Sequence, residues 1–247
     1  MNAARRPRAL LVWGIALLVL VCAQSAAVAA SVHSPWTQGV DDAWRSLIGV
    51  GPQSDVHTGL VPMLFQHLGQ LPGIVLMMLI VPILLAVLGR WRSALFVLAV
   101  QLAGPGLVSQ LLKNLVNRPR PAADEAAGLY GPLFLVDHGS FPSGHAVSAG
   151  AIAVLLVALI PAVRAVSRTV TTAVAVLLMV GMVWQRTLIN AHWLSDTLAG
   201  LAAGVGVALV LWWVFAPWLA QDRVRTPWFL RRRIPSDPIG EPLKETS

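Results

Sequence analysis

Six long apolar runs, at residues 9–30, 72–89, 93–112, 144–163, 169–189 and 196–219, are separated by short polar breaks. Each approaches the roughly 20 residues that a helix needs to cross the hydrocarbon of a bilayer. The pattern therefore predicts an all-α polytopic membrane protein, a bundle of six transmembrane helices. Arg90-Trp91-Arg92 stops the second run and Arg164 the fourth. Pro82 and Pro105 fall inside runs and predict kinks, which membrane helices tolerate. Residues 31–71 are too polar to span. Within them, residues 41–48 and 60–68 place apolar side chains at helical spacing, which predicts two short amphipathic helices on the extracytoplasmic membrane surface. Trp44, Leu47, Met63, Leu64 and Phe65 then either pack against the bundle, the preferred reading, or guide a lipid tail.

Composition supports membrane spans over one large soluble core. The chain is 56% hydrophobic and 12% charged, against about 25% charged in a soluble domain. A net charge of +7 could suggest nucleic acid, but the distribution of the cations gives a better account. With the N-terminus in the cytoplasm, thirteen of the eighteen Lys and Arg residues fall inside and five outside. That is the asymmetry that orients membrane proteins. The five outside are Arg45, Lys113, Arg118, Arg120 and Arg186, and four of them lie in the motifs described next. No nucleic-acid partner is expected. The first run has the basic start and the Ala27-Val28-Ala29 end of a signal peptide, but is long enough to span and is read as a retained helix. The single cysteine, Cys22, sits in that run and forms no intramolecular disulfide.

Three segments carry the chemistry. In Gly139-Ser140-Phe141-Pro142-Ser143-Gly144-His145, a capping serine and proline precede an apolar helix. Free N–H groups and the dipole at such a helix start attract anions. Gly144 permits close approach, and His145 lies in the first turn. In Lys113-x6-Arg120-Pro121, Lys113 supplies a point charge at the end of the third run. Arg120 supplies a bidentate fork for phosphate oxygens, and Arg118 stands ready to join or not. In Arg186-x5-His192-x3-Asp196, the histidine and carboxylate are four apart and share one helix face. Asp196 is expected to accept a hydrogen bond from one ring nitrogen of His192, which leaves the other free to attack phosphorus. His145 can protonate the leaving oxygen and later activate water. A metal centre is not expected, because the surrounding cations repel a divalent ion and zinc-type ligand spacings are missing. His33, His57, His67 and His138 read as surface or structural, with Asp137 and His138 possible at the rim.

In order and spacing these ten positions resemble the type 2 phosphatidic acid phosphatase family, whose pattern is Lys-x6-Arg-Pro, Pro-Ser-Gly-His and Ser-Arg-x5-His-x3-Asp. Each motif is weak alone; ten positions, each matched by chance about one time in twenty, are strong together. The resemblance covers roughly residues 71–219 and implies a six-helix membrane enzyme that works without metal or other cofactor through a phosphohistidine. It also implies roles: His192 as nucleophile, Asp196 as its orienting partner and His145 as acid/base. Lys113, Arg120, Ser143, Gly144 and Arg186 would hold the phosphate. Vanadium haloperoxidases share this type of pocket but are soluble. Gln185 departs from the pattern, which has Ser there. The expected organisation is a first transmembrane helix or signal peptide at 1–30 and an extracytoplasmic amphipathic segment at 31–71. A catalytic transmembrane core at 72–220 and a basic cytoplasmic tail at 221–247 follow. The expected partner is a lipid phosphate or pyrophosphate in the cell membrane, met at its extracytoplasmic face: polyprenyl pyrophosphate, phosphatidylglycerophosphate or phosphatidic acid. The alternatives are a phosphotransferase using the same histidine and a non-catalytic lipid-phosphate binder or transporter.

Overall fold

A computed structural model describes residues 6–51, 53–134, 139–160 and 164–223. Asp137, His138 and most of the basic tail lie outside the described residues. In chain order the helices are α1 (Arg8–Ala29), α2 (Gln38–Ile48), α3 (Leu60–Leu68), α4 (Leu71–Val87) and α5 (Trp91–Val116). After a long connection come α6 (Gly144–Leu159), α7 (Ala165–Leu188) and α8 (Leu194–Arg223). Among the described residues there is no strand, only an isolated bridge between Asp124 and Leu129.

The fold is the all-helical membrane architecture that the apolar runs predict, but the count of six spans is not reproduced by length. Among the described residues four helices, α1, α5, α7 and α8, are long and apolar enough to cross a membrane. Helix α4 passes that test only together with α3, to which it is bent by 52°. Helix α6 has 16 residues, short of a full crossing. Both prolines that predict kinks lie at π-helical stretches. Pro82 follows a π-helical stretch at Leu76–Ile80, and Pro105 lies within another at Leu102–Val108. A widened turn absorbs the backbone bond and the space that proline denies the helix.

Helix α8 is the central post, with α1, α5 and α6 packed along it. Small residues bring the backbones together, the usual means of helix association where lipid removes the hydrophobic drive. A Cβ on Gly204 would lie 2.0 Å from the Val147 carbonyl oxygen, so the α6–α8 crossing depends on glycine there. Phe96, Val97, Val100, Leu155 and Ala208 form the largest core cluster, toward the end of the bundle away from the motifs. At that end Asp222 accepts bonds from the Ser93 N–H and hydroxyl at 2.7 and 3.1 Å, which caps the start of α5.

The opposite end is closed by the amphipathic segment. Helix α3 packs through Phe65 and Leu68 against Ala146, Ala149 and Met182. Trp44 of α2 donates its indole N–H to Thr187 at 3.0 Å. Arg45 donates to Asn190 and to the carbonyl oxygens of Ala122 and Tyr130, tying α2 to the long connection. Trp44 and Phe65 therefore serve packing, whereas Leu47 and Leu64 remain exposed.

Candidate active site

The three motifs meet at one end of the bundle because each lies where a helix begins or stops. Lys113 is in the last turn of α5, within the helix and not after it. Asn117 closes that helix in the left-handed region at φ 43°, a conformation asparagine tolerates, and sends the chain into Arg118-Pro119-Arg120. Ser143 is the N-cap of α6, with Gly144 and His145 opening it. Arg186 sits in the last turn of α7. Asn190, at φ 52°, turns the chain out of α7 so that His192 lies in the short link to α8 and Asp196 in its first turn.

A cavity of about 440 Å³ gathers Lys113, Arg120, Gly144, His145, Arg186 and His192. Gln66, Gly69, Gln70, Gln110 and Phe134 complete its walls with Ile74, Pro105 and Ser148. The six motif residues come from widely separated parts of the sequence, and the fold brings them around one space. Ser143 is fully buried beside it. Its hydroxyl makes no cap bond, and Ser143 Oγ and Arg186 Nε have no hydrogen-bond partner among the described residues. Leaving a buried donor unsatisfied costs about 1–3 kcal/mol, so both atoms are suited to a strong acceptor. The first N–H groups of α6 are likewise without intrahelical partners. Lys113 donates to the Gly139 carbonyl at 3.1 Å and Arg120 to the Ala191 carbonyl at 2.6 Å, which fixes both cations at the wall.

His192 is 4% exposed, and its tautomer follows from its contacts. Nδ1 lies 2.8 Å from the Ser140 carbonyl oxygen, which can only accept. Nδ1 therefore carries the proton and Nε2 the lone pair. Nε2 faces Arg120 Nη1 at 3.3 Å, on the side of the cavity. Burial holds the imidazole well below the usual histidine range; Arg186, Arg120 and Lys113 push the same way, and the bond to Ser140 opposes them. Burial also lowers Arg120, against the raising effect of Asp196. A guanidinium starts so far above neutrality that it stays charged.

One expectation from the sequence is corrected, and one choice it leaves open is decided. Asp196 does not hydrogen-bond His192: its Oδ2 is 3.9 Å from Nδ1, beyond bonding distance. The Ser140 main chain takes that place. Asp196 instead accepts from the Trp193 N–H at 3.1 Å, pinning the link that bears His192, while the Ser143 N–H donates to its carbonyl at 3.0 Å. Nor does Arg118 join the phosphate cations. It is 1% exposed and spent on an internal clamp, donating to Asp196 at 2.8 Å and to Asp41 at 2.9 Å. Its other bonds go to Ser195 and Gln38, both at 2.9 Å. The four-residue spacing of His192 and Asp196 gives proximity but not a bond, because His192 precedes the helix.

Sequence reasoning missed three contributors. The spacing over residues 41–48 puts Asp41 on a surface helix, yet it is 1% exposed and accepts from Arg118, Thr37 and Ser195. Ser140 holds His192 through its backbone carbonyl, a contact that leaves no side-chain signal. Gln66, 2% exposed in α3, touches both motif histidine and motif arginine. One polar residue in an amphipathic helix carries no mark of such a position. Among the described residues no group of three or more His, Cys, Asp or Glu could hold a metal ion.

Comparison with known proteins finds relatives in part of the sequence and a likeness of fold. Over 114 residues, 45% of this chain, it is 33% identical to a lipid A 1-phosphatase of Rhizobium johnstonii and 32% identical to one of Rhizobium etli. That stretch covers 43% and 46% of those proteins, so the match spans less than half the length of either relative. The fold is similar to that of a transmembrane PAP2-type phosphatidylglycerolphosphate phosphatase from Bacillus subtilis. The TM-score is 0.63 at 19% identity, over 86% of this chain and 97% of that one. The family pattern of the PAP2 superfamily matches residues 94–219, which include every motif position and about half of the chain. With the motif residues drawn around one cavity in that fold, the chain belongs to the PAP2 superfamily.

Proposed function

We propose that this protein hydrolyses a lipid phosphate or pyrophosphate at the extracytoplasmic face of the membrane, through a phosphohistidine on His192 and without a metal. The observation that carries the reading is the lone pair of a neutral, buried imidazole beside a cavity walled by Lys113, Arg120 and Arg186. Phosphate oxygens would take the bonds of those cations, of the Ser143 hydroxyl, of Arg186 Nε and of the N–H groups opening α6. Equatorial charge on phosphorus is then stabilised by donors already in place.

In the first step His192 Nε2 forms a bond to phosphorus as the bond from phosphorus to the lipid oxygen breaks. His145 enters this step as the imidazolium and gives the proton of its Nδ1 to that oxygen. In the second step His145 takes a proton from water, whose oxygen displaces His192 and releases inorganic phosphate. Asp196 acts at 3.9 Å on the charge that develops on the ring, and through its bond to Trp193 on the position of the link. It is a positioning carboxylate and not a proton carrier.

A lipid, in preference to a water-soluble ester, is supported by a second cavity. It has a volume of about 270 Å³ and shares Ile74, Pro105, Gln110 and Ser148 with the first. Leu68, Met77, Met78, Leu102 and Ile152 make its remaining walls largely apolar. It lies where α4 and α5 widen into π-helical turns, and Ile74 and Leu102, 54% and 58% exposed, open it to the lipid-facing surface. A headgroup in the polar cavity leaves this groove for the start of a tail. The lipid A and phosphatidylglycerophosphate activities named for the relatives lie within this class. Outward orientation is supported by the loop charges.

The test uses purified protein in detergent, with phosphate release measured from polyprenyl pyrophosphate, phosphatidic acid, a sugar phosphate and an activated aryl phosphate. Lipid substrates should be preferred, vanadate should inhibit, and EDTA should not. His192→Ala should be inactive on all substrates. His145→Ala should lose the lipid reaction but keep first-step reaction on the aryl ester, whose leaving group needs no proton. Loss of activity in EDTA with recovery on zinc or magnesium sinks the mechanism. Transfer of the phosphoryl group to an acceptor other than water would favour a phosphotransferase.

A further inference from the structure

We propose that Gln66 is a positioning residue for this phosphate site. Through its side chain it holds the phosphate-binding guanidinium of Arg186, and through its backbone it holds the ring of His145. The proposal rests on the phosphatase reading above and adds a residue outside the family's matched stretch, 94–219.

Three bonds converge on this residue. Gln66 Oε1 accepts from Arg186 Nη1 in a short contact and from Gln185 Nε2 at 3.2 Å. Its backbone oxygen lies 3.2 Å from His145 Nε2. The amide orientation of Gln66 is fixed by chemistry: the Arg186 guanidinium can only donate, so the oxygen must face it. With Nη1 anchored, the unpartnered Nε of Arg186 is held at the cavity and not left to rotate toward an internal acceptor. Gln185 Oε1 is the other contact of Nη1, at 3.4 Å, and is too long to fix it alone.

The backbone bond sets the tautomer of His145. A carbonyl only accepts, so Nε2 carries the hydrogen and Nδ1 is the nitrogen that exchanges a proton with substrate. The ring is also clamped by shape, since a Cβ on Gly69 would lie 2.0 Å from its Cδ2. Residues 66–69, at the end of α3, thus wrap the ring from two sides. Helix α3 is itself seated on α7, where Phe65 fills the space that any side chain at Gly181 would need. Gln185, which stands where the family pattern has serine, reaches Gln66 through its side-chain amide. Positions 66 and 185 therefore act as a pair in this chain.

The experiment measures vanadate inhibition constants and kcat/KM for wild type, Gln66→Met, Gln66→Glu, Gln185→Met and the double variant Gln66→Met/Gln185→Met. An inhibition constant does not depend on how much of the protein is folded, so a merely structural role would leave it unmoved. Gln66→Met removes the acceptor at similar volume and should weaken vanadate about ten- to a hundredfold. Gln66→Glu keeps the shape but places a negative charge beside Arg186, and should weaken vanadate at least about tenfold. It also stands alone as the test if the methionine variant fails to fold. Gln185→Met should add little in the Gln66→Met background, because it acts through the same oxygen. Wild-type inhibition constants in both Gln66 variants overturn the proposal alone. A wild-type protein insensitive to vanadate overturns the phosphate-site reading, and this proposal with it.

Discussion

Replacing Arg118 tests whether it is a structural clamp or a phosphate ligand. Its guanidinium bridges Asp41 and Asp196 at 2.9 and 2.8 Å, and all three side chains are 0–1% exposed. Arg118→Met fills most of the volume but strands two buried carboxylates. Removing one partner of a buried ion pair costs about 3–5 kcal/mol. In a chain of this length each kcal/mol moves the melting temperature by about 2–4 °C, so Arg118→Met should melt about 6–20 °C below wild type. Asp41→Asn leaves Arg118 paired with Asp196 and should cost less, about 1.5–3 kcal/mol for one charged hydrogen bond. In the double variant the Asn removes one of the stranded charges, so the two losses should sum to more than the measured total. The assay is thermal unfolding of detergent-purified protein, with vanadate inhibition of the same samples below their melting temperatures. Melting within about 2 °C of wild type, together with much weaker vanadate inhibition, refutes the clamp and assigns Arg118 to the phosphate site.

Three further predictions test other parts of the account. In a Cys22→Ser background, Gly128→Cys should react with a membrane-impermeant thiol reagent on intact cells and Arg232→Cys should not; the opposite pattern ends the outward-facing reading. The folded pKa of His192 lies below its ordinary value of 6.5, so below that pH the unfolded chain takes a proton the native one refuses and stability falls with pH. His192→Gln lacks this loss, and its melting temperature relative to wild type should rise as pH is lowered from about 7.5 to about 5.5; a constant difference contradicts the shift. Met77→Trp should narrow the apolar groove and lower turnover of a lipid phosphate about tenfold or more while sparing an aryl phosphate, and equal losses on both would remove the groove from the substrate path.

Much of this protein is legible in its sequence because the bilayer limits the choices. Backbone groups in hydrocarbon must bond within their own helix, so apolar runs such as 169–189 and 196–219 announce helices, and α7 and α8 lie over them. Ionisable groups near lipid are expensive, so Lys113, His145, Arg186, His192 and Asp196 stand out from an apolar background. Their position at helix ends follows from the same runs. Length alone is less informative: α6 is short, and α4 continues from α3 across a 52° bend, so a count of runs is not a count of crossings.

The tertiary structure decided which polar groups face the cavity and which face one another. Arg118 and Arg120 are two residues apart, with a proline between them and another after them. One is consumed by Asp41 from α2, and the other reaches His192. Nothing local separates them, because the choice depends on a carboxylate supplied from far along the chain. The bonds that set the tautomers of His192 and His145 come from the carbonyl oxygens of Ser140 and Gln66, 52 and 79 residues away. Every residue has a carbonyl, so its use at a site leaves no trace in the sequence. Side-chain identity fixed the inventory of charges; only packing could assign each charge a partner.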